Sequence, residues 1–311
     1  MVVQLAMADT VIRTEKLCKE FGATIAVKGL DLEVRRGEVF AFLGLNGAGK
    51  TTSLKMLLGL VFPTSGRGMV LGRPLGDVPV RQRIGFLPEH FRFHDWLTAA
   101  ELLNIHGRLY GLSSRHLAAR VPMLLELIGL APFAAKRLQG FSKGMLQRIG
   151  LALALLNEPE MIFLDEPTSG LDPAGRLLVR DIINDQRQRG TTIFLNSHLL
   201  SEVEVVCDRA AFIRHGEVIE VRELGGMMEG ELSVAIRARQ LTPDVIEELR
   251  QWGTPIRADG ERLQLRLASE SVLPEVIRHM VLRGVELYAV TPQRQSLEEL
   301  FIRIVGTEGG L

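Results

Sequence analysis

The sequence predicts an α/β fold built on a parallel sheet, followed by a small α+β module. Two short segments, Met161 to Asp165 and Thr192 to Asn196, carry no charge before their last residue, which is typical of parallel strands covered on both faces. The helical stretch Ala174 to Arg189 separates them. A glycine-rich loop follows a third buried segment, Val39 to Leu43. Near Arg222 the composition changes, and a second pattern of strands and helices begins.

Two further patterns lie on either side of the glycine-rich loop. From Val11 to Leu43, β-type alternation is interrupted three times by glycine, which predicts antiparallel strands that lead into the buried strand. From Leu97 to Leu130 the pattern is helical and ends twice near glycine, as helices tend to. We therefore expect an antiparallel β subdomain and a helical subdomain, at about residues 90–157, beside the parallel sheet.

The chain after Arg222 predicts a linker and a second domain. Residues 223–231 are rich in glycine and poor in apolar side chains. The elements that follow read strand, helix, strand, strand, helix, strand and helix, at Leu232–Arg237, Pro243–Trp252, Pro255–Asp259, Arg262–Leu267, Val272–Arg283, Val285–Val290 and Ser296–Val305. This βαββαβ order with an added helix predicts a ferredoxin-like module. We therefore expect domains at residues 1–222 and 232–311.

Composition excludes several classes of protein. A chain of 311 residues that is 46% hydrophobic is long enough for two domains. Its 37 basic and 37 acidic side chains cancel, so no nucleic-acid partner is expected. Cys18 and Cys207 show no ligand spacing and fit a reducing compartment. The apolar run Ile149 to Leu156 is too short to span a membrane. We expect a cytoplasmic protein that reaches a membrane only through a partner.

The strongest motif is the glycine-rich loop "GLNGAGKTT", between a predicted strand and a predicted helix. It matches G-x-x-x-x-G-K-[ST], the P-loop or Walker A motif, in which backbone N–H groups curl around nucleotide phosphates. Lys50 is expected to reach the β and γ phosphates, and the Thr51 hydroxyl to bind Mg²⁺. The candidate nucleotide-binding residues are Gly44, Leu45, Asn46, Gly47, Ala48, Gly49, Lys50, Thr51 and Thr52. The spacing and context disfavour a chance glycine-rich turn.

A second motif, "MIFLDEP", supplies two carboxylates at the end of a buried strand. Asp165 is expected to hold Mg²⁺, and Glu166 to accept a proton from the water that attacks the nucleotide. Two carboxylates that only cap a strand are the alternative. His198, after the next strand, is placed to hydrogen-bond the γ-phosphate, although a single histidine is more often structural.

Together these residues resemble the nucleotide-binding subunits of ABC transporters from Val11 to about Arg222. "FSKGM" occupies the place of that family's LSGGQ signature. The resemblance implies that the signature residues face ATP held by the other subunit of a homodimer; they are Ser142, Lys143, Gly144 and Met145. An N-terminal helix cap is the other interpretation of Ser142.

The resemblance also implies roles for residues that carry no signal of their own. Phe21 stands where the family places an aromatic ring against adenine, with Val27 beside it. The segment "SGLD" resembles the D-loop that joins the two sites across the dimer; its residues are Ser169, Gly170, Leu171 and Asp172. His198 resembles the family's switch histidine.

The chain departs from the family at the signature and before it. Glu89 stands where the family usually has glutamine, and Lys143 and Met145 replace glycine and glutamine. Glu89 keeps an oxygen ligand for Mg²⁺, directly or through water, but adds a negative charge beside the phosphates.

The segments "LPE", "SKGMLQR" and "SLEELF" resemble the exporter-like branch of the family. This implies an ATP-hydrolysing subunit of an ABC exporter, in which dimer closure on Mg-ATP drives a separately encoded transmembrane permease, at the cytoplasmic face of the cell membrane. Two alternatives remain open at this point. One is a soluble, non-transport ABC ATPase that acts on ribosomes or DNA. The other is an ATP-dependent sensor whose C-terminal module binds a small ligand.

Overall fold

The computed structural model describes residues 10–224, 232–293 and 296–306. Its contacts divide the chain into two units, one of residues 1–222 with 301–311 and one of residues 223–300. Residues 225–231 of the predicted linker lie outside the described residues. Domain boundaries at residues 1–222 and 232–311 therefore remain a prediction from the sequence.

One large sheet organises the first unit. Its strands in chain order are β1 (Thr10–Phe21), β2 (Thr24–Arg35), β3 (Val39–Gly44), β4 (Ser65–Val70), β5 (Arg73–Pro74), β6 (Ile84–Leu87), β7 (Met161–Asp165), β8 (Thr192–Asn196), β9 (Arg209–Arg214) and β10 (Glu217–Glu223). Their order across the sheet is β5-β4-β1-β2-β10-β9-β3-β8-β7-β6. The pairs β1–β2 and β1–β4 are antiparallel, whereas β3, β6, β7, β8 and β9 pair in parallel. The predicted parallel strands and the antiparallel strands before them are confirmed.

Four of the six helices described in the first unit begin at a residue whose side chain caps the helix. The six helices are α1 (Lys50–Leu57), α2 (Ala99–Leu109), α3 (Ser114–Leu127), α4 (Lys143–Leu155), α5 (Pro173–Gln188) and α6 (Leu200–Val206). Thr98 and Glu101 form a reciprocal capping box before α2, and Ser113 caps α3. The helical pattern predicted from Leu97 is thus confirmed as two helices. Within the described ranges, no helix is both long and apolar enough to cross a bilayer.

A phenylalanine cluster forms the centre of the parallel sheet. Phe40, Phe42, Phe163 and Phe194 are fully buried. The Phe194 ring centroid lies 5.9 Å from that of Phe40 and 5.4 Å from those of Phe42 and Phe163. Because three neighbouring strands contribute to this cluster, their register is strongly specified. The polar residues at the ends of these strands are therefore held in place by packing beneath them.

The second unit is a four-stranded antiparallel sheet with helices. Its elements are β11 (Leu232–Arg239), α7 (Pro243–Glu248), β12 (Gly253–Asp259), β13 (Arg262–Leu267), α8 (Leu273–Leu282) and β14 (Glu286–Gln293), and α9 (Leu297–Val305) follows. The strand order is β12-β13-β11-β14, the 4-1-3-2 arrangement that a split βαβ topology produces. The predicted ferredoxin-like order is confirmed. The helix predicted as Pro243–Trp252 is α-helical only to Glu248 and continues as a 3₁₀ turn to Gln251.

Close packing between β6 and α4 leads to a stability prediction. A Cβ at Gly85 would lie 1.9 Å from the Ala154 carbonyl oxygen, whereas a Cβ at Gly29 would meet nothing within 4 Å. We expect Gly85→Ala to lower the free energy of unfolding by about 2 kcal/mol or more, because the backbone of α4 must move. Gly29→Ala, the matched control, should change it by less than about 0.5 kcal/mol. Denaturant unfolding of both variants is the measurement, and equal effects would contradict the packing argument.

Candidate functional site

The candidate site lies at one edge of the parallel sheet. Strands β3, β6, β7 and β8 are parallel neighbours, so their carboxyl ends meet at the same edge. The glycine-rich loop follows β3 after Gly44, and Glu89 lies two residues beyond β6. Asp165 ends β7 and Asn196 ends β8. The strand register thus brings together residues that are far apart in the sequence.

The glycine-rich loop has a shape that only glycine allows at two positions. Gly47 and Gly49 adopt φ of 77° and 99°, in the region that other residues rarely occupy. A Cβ at Gly49 would lie 2.5 Å from the Ala26 carbonyl oxygen, and one at Gly44 would lie 2.5 Å from the Ile213 oxygen. The loop is therefore pressed against β2 and β9, and α1 begins at Lys50 without a side-chain cap, so that its first turn points backbone N–H groups toward the loop.

Lys50 lies at the mouth of this loop. Its Nζ donates hydrogen bonds to the carbonyl oxygens of Gly44 at 2.7 Å and Leu45 at 3.0 Å. The ammonium is partly buried, and its charge opposes the rise in the pKa of Asp165 that burial causes. A phosphate group in the loop would compete with the two carbonyls for this ammonium. The Thr51 side chain, in the first turn of α1, is exposed.

Two buried carboxylates lie opposite the loop. Asp165 is 3% exposed, and its Oδ1 accepts a hydrogen bond from the Asn196 amide at 2.5 Å. Burial raises the pKa of Asp165, and the Glu89 carboxylate raises it further, whereas the Asn196 hydrogen bond and the Lys50 charge oppose the rise. Burial likewise raises the pKa of Glu166, and His198 opposes this rise. The edge thus holds carboxylates whose ionised forms are disfavoured in the absence of a cation.

The backbone holds Glu166 in an unusual conformation. Its φ is 53°, which is rare for a residue other than glycine and recurs at functional sites. The Glu166 N–H donates to the Asn196 carbonyl oxygen at 2.8 Å. Oε2 of Glu166 lies 2.7 Å from Nδ1 of His198, without the alignment of an N–H···O hydrogen bond. The His198 side chain is 68% exposed, so it is free to contact a ligand as well as Glu166.

The oxygen atoms at this edge fit a hard divalent cation that arrives with a nucleotide. Asn196 Oδ1 and Thr168 Oγ1 are buried and form no hydrogen bond within the described part of the chain. Across residues 10–224, 232–293 and 296–306, no three His, Cys, Asp or Glu side chains are grouped to hold a metal ion by themselves. Mg²⁺ is usually held by one or two carboxylates together with substrate phosphates and water. The Thr51 hydroxyl and Asp165 suit that mode of binding.

The segment Ser142–Met145 opens helix α4. The Ser142 Oγ accepts a hydrogen bond from the Met145 N–H at 3.2 Å, so Ser142 does cap the helix. A Cβ at Gly144 would lie 3.3 Å from Leu171 Cδ2. A Cβ at Gly170 would lie 2.7 Å from the Cδ atom of Lys143. The start of α4 therefore packs against the loop that holds Gly170 and Leu171.

That loop leads from the carboxylates into α5. The Ser169 N–H donates to the Glu166 carbonyl oxygen at 3.1 Å, and the Leu171 N–H donates to the Thr168 oxygen at 3.2 Å. Asp172 caps α5 by accepting from the Gly175 N–H at 2.8 Å. A continuous chain of short contacts thus connects Glu166 to the start of α4.

The two residues predicted beside an adenine ring have different surroundings. Phe21, at the end of β1, is 51% exposed, and the Lys19 ammonium lies 4.9 Å from its ring centroid. Val27 is fully buried in the core. A Cβ at Gly49 would lie 3.4 Å from Val27 Cγ2. Phe21 therefore offers an aromatic surface, whereas Val27 supports the loop from beneath.

Comparison with known proteins decides the family. The ABC transporter family model matches residues 27–169. An ABC transporter ATP-binding protein of Bacillus subtilis is 37% identical over 303 residues, which cover 94% of this chain and 98% of that protein. The chain belongs to the ABC transporter ATP-binding proteins. It is an ATPase of the ABC type, and its first unit is the ATP-binding cassette.

Other relatives of this ABC protein have named transport roles. The bacitracin transport ATP-binding protein of Bacillus licheniformis is 34% identical, with 96% of this chain and 98% of that protein covered. The Nod factor export ATP-binding protein I of a Rhizobium species is also 34% identical, with 97% and 99% covered. These matches span both units of the chain.

Solved structures match the cassette. The ATP-binding subunit of an ABC transporter superposes with a TM-score of 0.65 at 32% identity and covers 70% of this chain and 92% of its own. A dimeric cassette in a post-hydrolysis state, bound to ADP and Pi, superposes with a TM-score of 0.64 at 25% identity and covers 68% and 98%. Which residues of the present ABC protein touch a nucleotide stays a prediction.

Two residues of this cassette were missed by the sequence analysis. Gln147 is 3% exposed, and its Nε2 donates to the carbonyl oxygens of Glu166 and Pro167, both at 3.1 Å. Asn196 donates to Asp165, as described above. The available signals were a polar residue two positions before the apolar run of α4 and a polar residue at the end of an apolar strand. Both residues orient the carboxylate loop without being charged themselves.

The raised pKa of Glu166 leads to a stability prediction for the ABC protein without nucleotide. A carboxyl with a higher pKa in the folded state destabilises the fold above that raised pKa, and the effect disappears below the ordinary pKa of glutamate. We expect Glu166→Gln to have a higher melting temperature than the unmodified protein at neutral pH. The difference should shrink as the pH falls toward the ordinary glutamate range. Glu204→Gln, at an exposed position, should show no such difference. A lower melting temperature for Glu166→Gln at neutral pH would contradict the argument.

Proposed function

We propose that this protein is the ATP-hydrolysing subunit of an ABC exporter and works as a homodimer beneath a separately encoded transmembrane permease. The observation that carries the hydrolytic part is Glu166, a buried carboxylate of raised pKa at the same sheet edge as the glycine-rich loop. The transport and export relatives, which match both units, support the exporter part. Nothing in the described residues favours a ribosome-bound or DNA-bound ATPase over this function.

Different residues of the chain bind the phosphates, hold the metal ion and accept the proton during hydrolysis. The N–H groups of the loop and of the start of α1 bind the phosphates, and Lys50 exchanges its two carbonyl partners for phosphate oxygens. Thr51 and Asp165 would hold Mg²⁺, with Glu89 acting directly or through water, and the ion would neutralise phosphate charge. Glu166 accepts the proton of the attacking water, and its raised pKa makes it a better base. His198 orients Glu166 and the γ-phosphate.

The second half of each site comes from the other subunit. Ser142 and the first turn of α4 present N–H groups and a hydroxyl, which suit an anion. These groups pack against the loop at Gly170 and Leu171 rather than against the chain's own glycine-rich loop. The D-loop residues, Ser169 to Asp172, lie between Glu166 and α4 and would join the two sites. Phe21 would stack on the adenine through its exposed ring.

The membrane partner would bind beside Glu89. Trp96 is 66% exposed, and its ring is stacked with that of His94 at a centroid distance of 4.5 Å. The rings of Phe91 and Phe93 are stacked at 4.6 Å. An exposed aromatic surface close to the carboxylate edge suits a permease that responds to nucleotide. The protein would then lie on the cytoplasmic face of the cell membrane, held there by that partner.

Replacing the proposed base tests the hydrolytic mechanism. Glu166→Gln should bind ATP with normal affinity, because the amide keeps the shape of the side chain. Its turnover should fall by about 100-fold or more, since the amide cannot accept the proton. ATP binding, steady-state hydrolysis and the size of the ATP-bound species are the measurements. Glu204→Gln should hydrolyse ATP normally, and near-normal turnover of Glu166→Gln would overturn the base assignment.

Mixing two inactive variants tests the shared site. Lys50→Ala disables a chain's own loop, whereas Ser142→Arg spoils the site that its neighbour uses. In a mixed dimer both defects fall on one site, and the other site has an intact Lys50 and an intact Ser142. Random mixing should therefore restore about a quarter of the sites, because half of the dimers are mixed and half of their sites are intact. Nucleotide trapping and turnover are measured on verified mixed dimers.

The cap made by Ser142 requires a control. Ser113 caps α3 through an equal 3.2 Å hydrogen bond, so Ser113→Arg loses the same kind of cap away from the signature. That variant should remain active by itself, which would show that the loss in Ser142→Arg is not merely a lost cap. If mixed dimers of Lys50→Ala and Ser142→Arg neither trap nor hydrolyse ATP, Ser142 does not serve the neighbouring site.

A further inference from the structure

The sheet of the second unit has one covered face and one open face. On β11 the side chains of Val234, Ile236 and Ala238 are buried, whereas those of Arg237 and Arg239 between and after them are exposed. The same alternation continues on β13, where leucines alternate with polar residues. Residues of α7 and α8, such as Val245 and Val276, share the core of the covered face. The other face therefore carries the polar residues of each strand together with short side chains such as Ala235.

Arginines face each other on the open side. Arg237 of β11 and Arg262 of β13 are directly opposite partners in the ladder. Like charges at directly opposite positions destabilise a sheet. Neither guanidinium has a carboxylate partner among the described residues, although Arg237 lies 5.8 Å from the ring centroid of Tyr288. Their arrangement is unfavourable unless an anion lies between them.

A cavity of about 380 Å³ lies at this position. Short side chains form part of its lining, at Ala235, Ala289 and Thr291. Ala235 is paired with Thr291, and Arg237 with Ala289, so these residues belong to adjacent rows of one sheet face. The long side chains of the neighbouring arginines rise beside the short ones. The volume lies within the range of small-molecule sites, which begins at roughly 300 Å³.

The side chains that line the cavity carry two more positive charges than negative charges. Arg237, Arg257 and Arg262 line it together with a single carboxylate, Asp259. The Asp259 carboxylate lies 3.6 Å from Nη2 of Arg257, and Asp259 is also the ladder partner of Arg262, so this one carboxylate balances a single positive charge among the three arginines. The positive charge that remains at Arg237 and Arg262 suits a bound anion. Guanidinium forks match the oxygens of phosphate, which they bind in pairs of hydrogen bonds.

We propose that this cavity, bounded by Arg237 and Arg262, is a binding site for a small organic dianion of the phosphate monoester class. The two unpaired guanidinium groups bind the phosphate. The amide of Gln264 and the hydroxyl of Thr291, which also line the cavity, supply further polar contacts, and the alanines accommodate the organic part. This site is separate from the ATP site, because its residues all belong to the second unit.

The test measures binding of phenyl phosphate to the full chain by calorimetry, with the cassette saturated with ADP so that the glycine-rich loop does not compete. We expect one saturable site in the second unit. Arg237→Ala and Arg262→Ala should each weaken binding about tenfold or more, because each removes a charge-assisted contact. Arg262→Lys should have an intermediate effect, since it keeps the charge and loses the fork.

Arg250→Ala is the matched control. Arg250 belongs to the same unit, but it pairs with Glu247 and does not line the cavity. Its variant should bind phenyl phosphate normally. Each variant should melt at a temperature no lower than that of the unmodified protein and should keep its ATPase rate, which separates loss of the site from loss of the fold.

Several results would overturn the proposal. These are the absence of saturable binding at millimolar phenyl phosphate, an equal loss in Arg250→Ala, and equal binding of phenol, which lacks the phosphate. Equal binding of inorganic phosphate would contradict the role of the organic part. Arginine-dependent binding to vesicles of phosphatidylcholine and phosphatidylglycerol, or to single-stranded DNA, without binding of phenyl phosphate would assign the face to a membrane surface or a nucleic acid instead.

Discussion

The pairing of β7 with β8 places Asp165 opposite Asn196, and the candidate site depends on this register. The side-chain amide of Asn196 donates a hydrogen bond to the carboxylate of Asp165 and orients it. The backbone carbonyl oxygen of Asn196 accepts a hydrogen bond from the Glu166 N–H. One residue thus holds the side chain of Asp165 and the backbone of Glu166. The register itself is held by the phenylalanine cluster around Phe194, since a shift of one residue would turn the Phe194 ring to the opposite face of the sheet and break the cluster.

The same packing makes the nucleotide-free site electrostatically costly. Asp165 and Glu166 are buried with raised pKa values, and Glu89 adds a third carboxylate nearby. Apolar or amide side chains would cost less to bury at these positions. Natural proteins commonly keep such destabilising groups where function needs them. The Mg²⁺ ion that arrives with ATP would supply positive charge beside these carboxylates, and binding and site stability would then be coupled.

The two proposed anion sites differ in the groups that would bind the anion. In the cassette, the loop before α1 presents backbone N–H groups, so its geometry is set by glycine conformations and by contact with β2 and β9. In the second unit, the open sheet face presents guanidinium groups on rigid strands. A backbone site requires a particular loop sequence and is visible as a motif. A side-chain site depends on which strands lie side by side, and it has no fixed spacing in the sequence.

The sequence by itself determined the features that depend on neighbours along the chain. Gly47 and Gly49 adopt positive φ because glycine has no Cβ to clash with the backbone. The charge-free segments indicate strands that are buried on both faces, and the hydrophobic periodicity after Arg222 predicts the βαββαβ order. Tertiary structure alone decided the contacts across strands and helices. The hydrogen bonds of Gln147 to the loop after β7, and the pairing of Arg237 with Arg262, join residues 19 or more positions apart. Their partners are chosen by packing and register, and these depend on the whole core and not on any short segment.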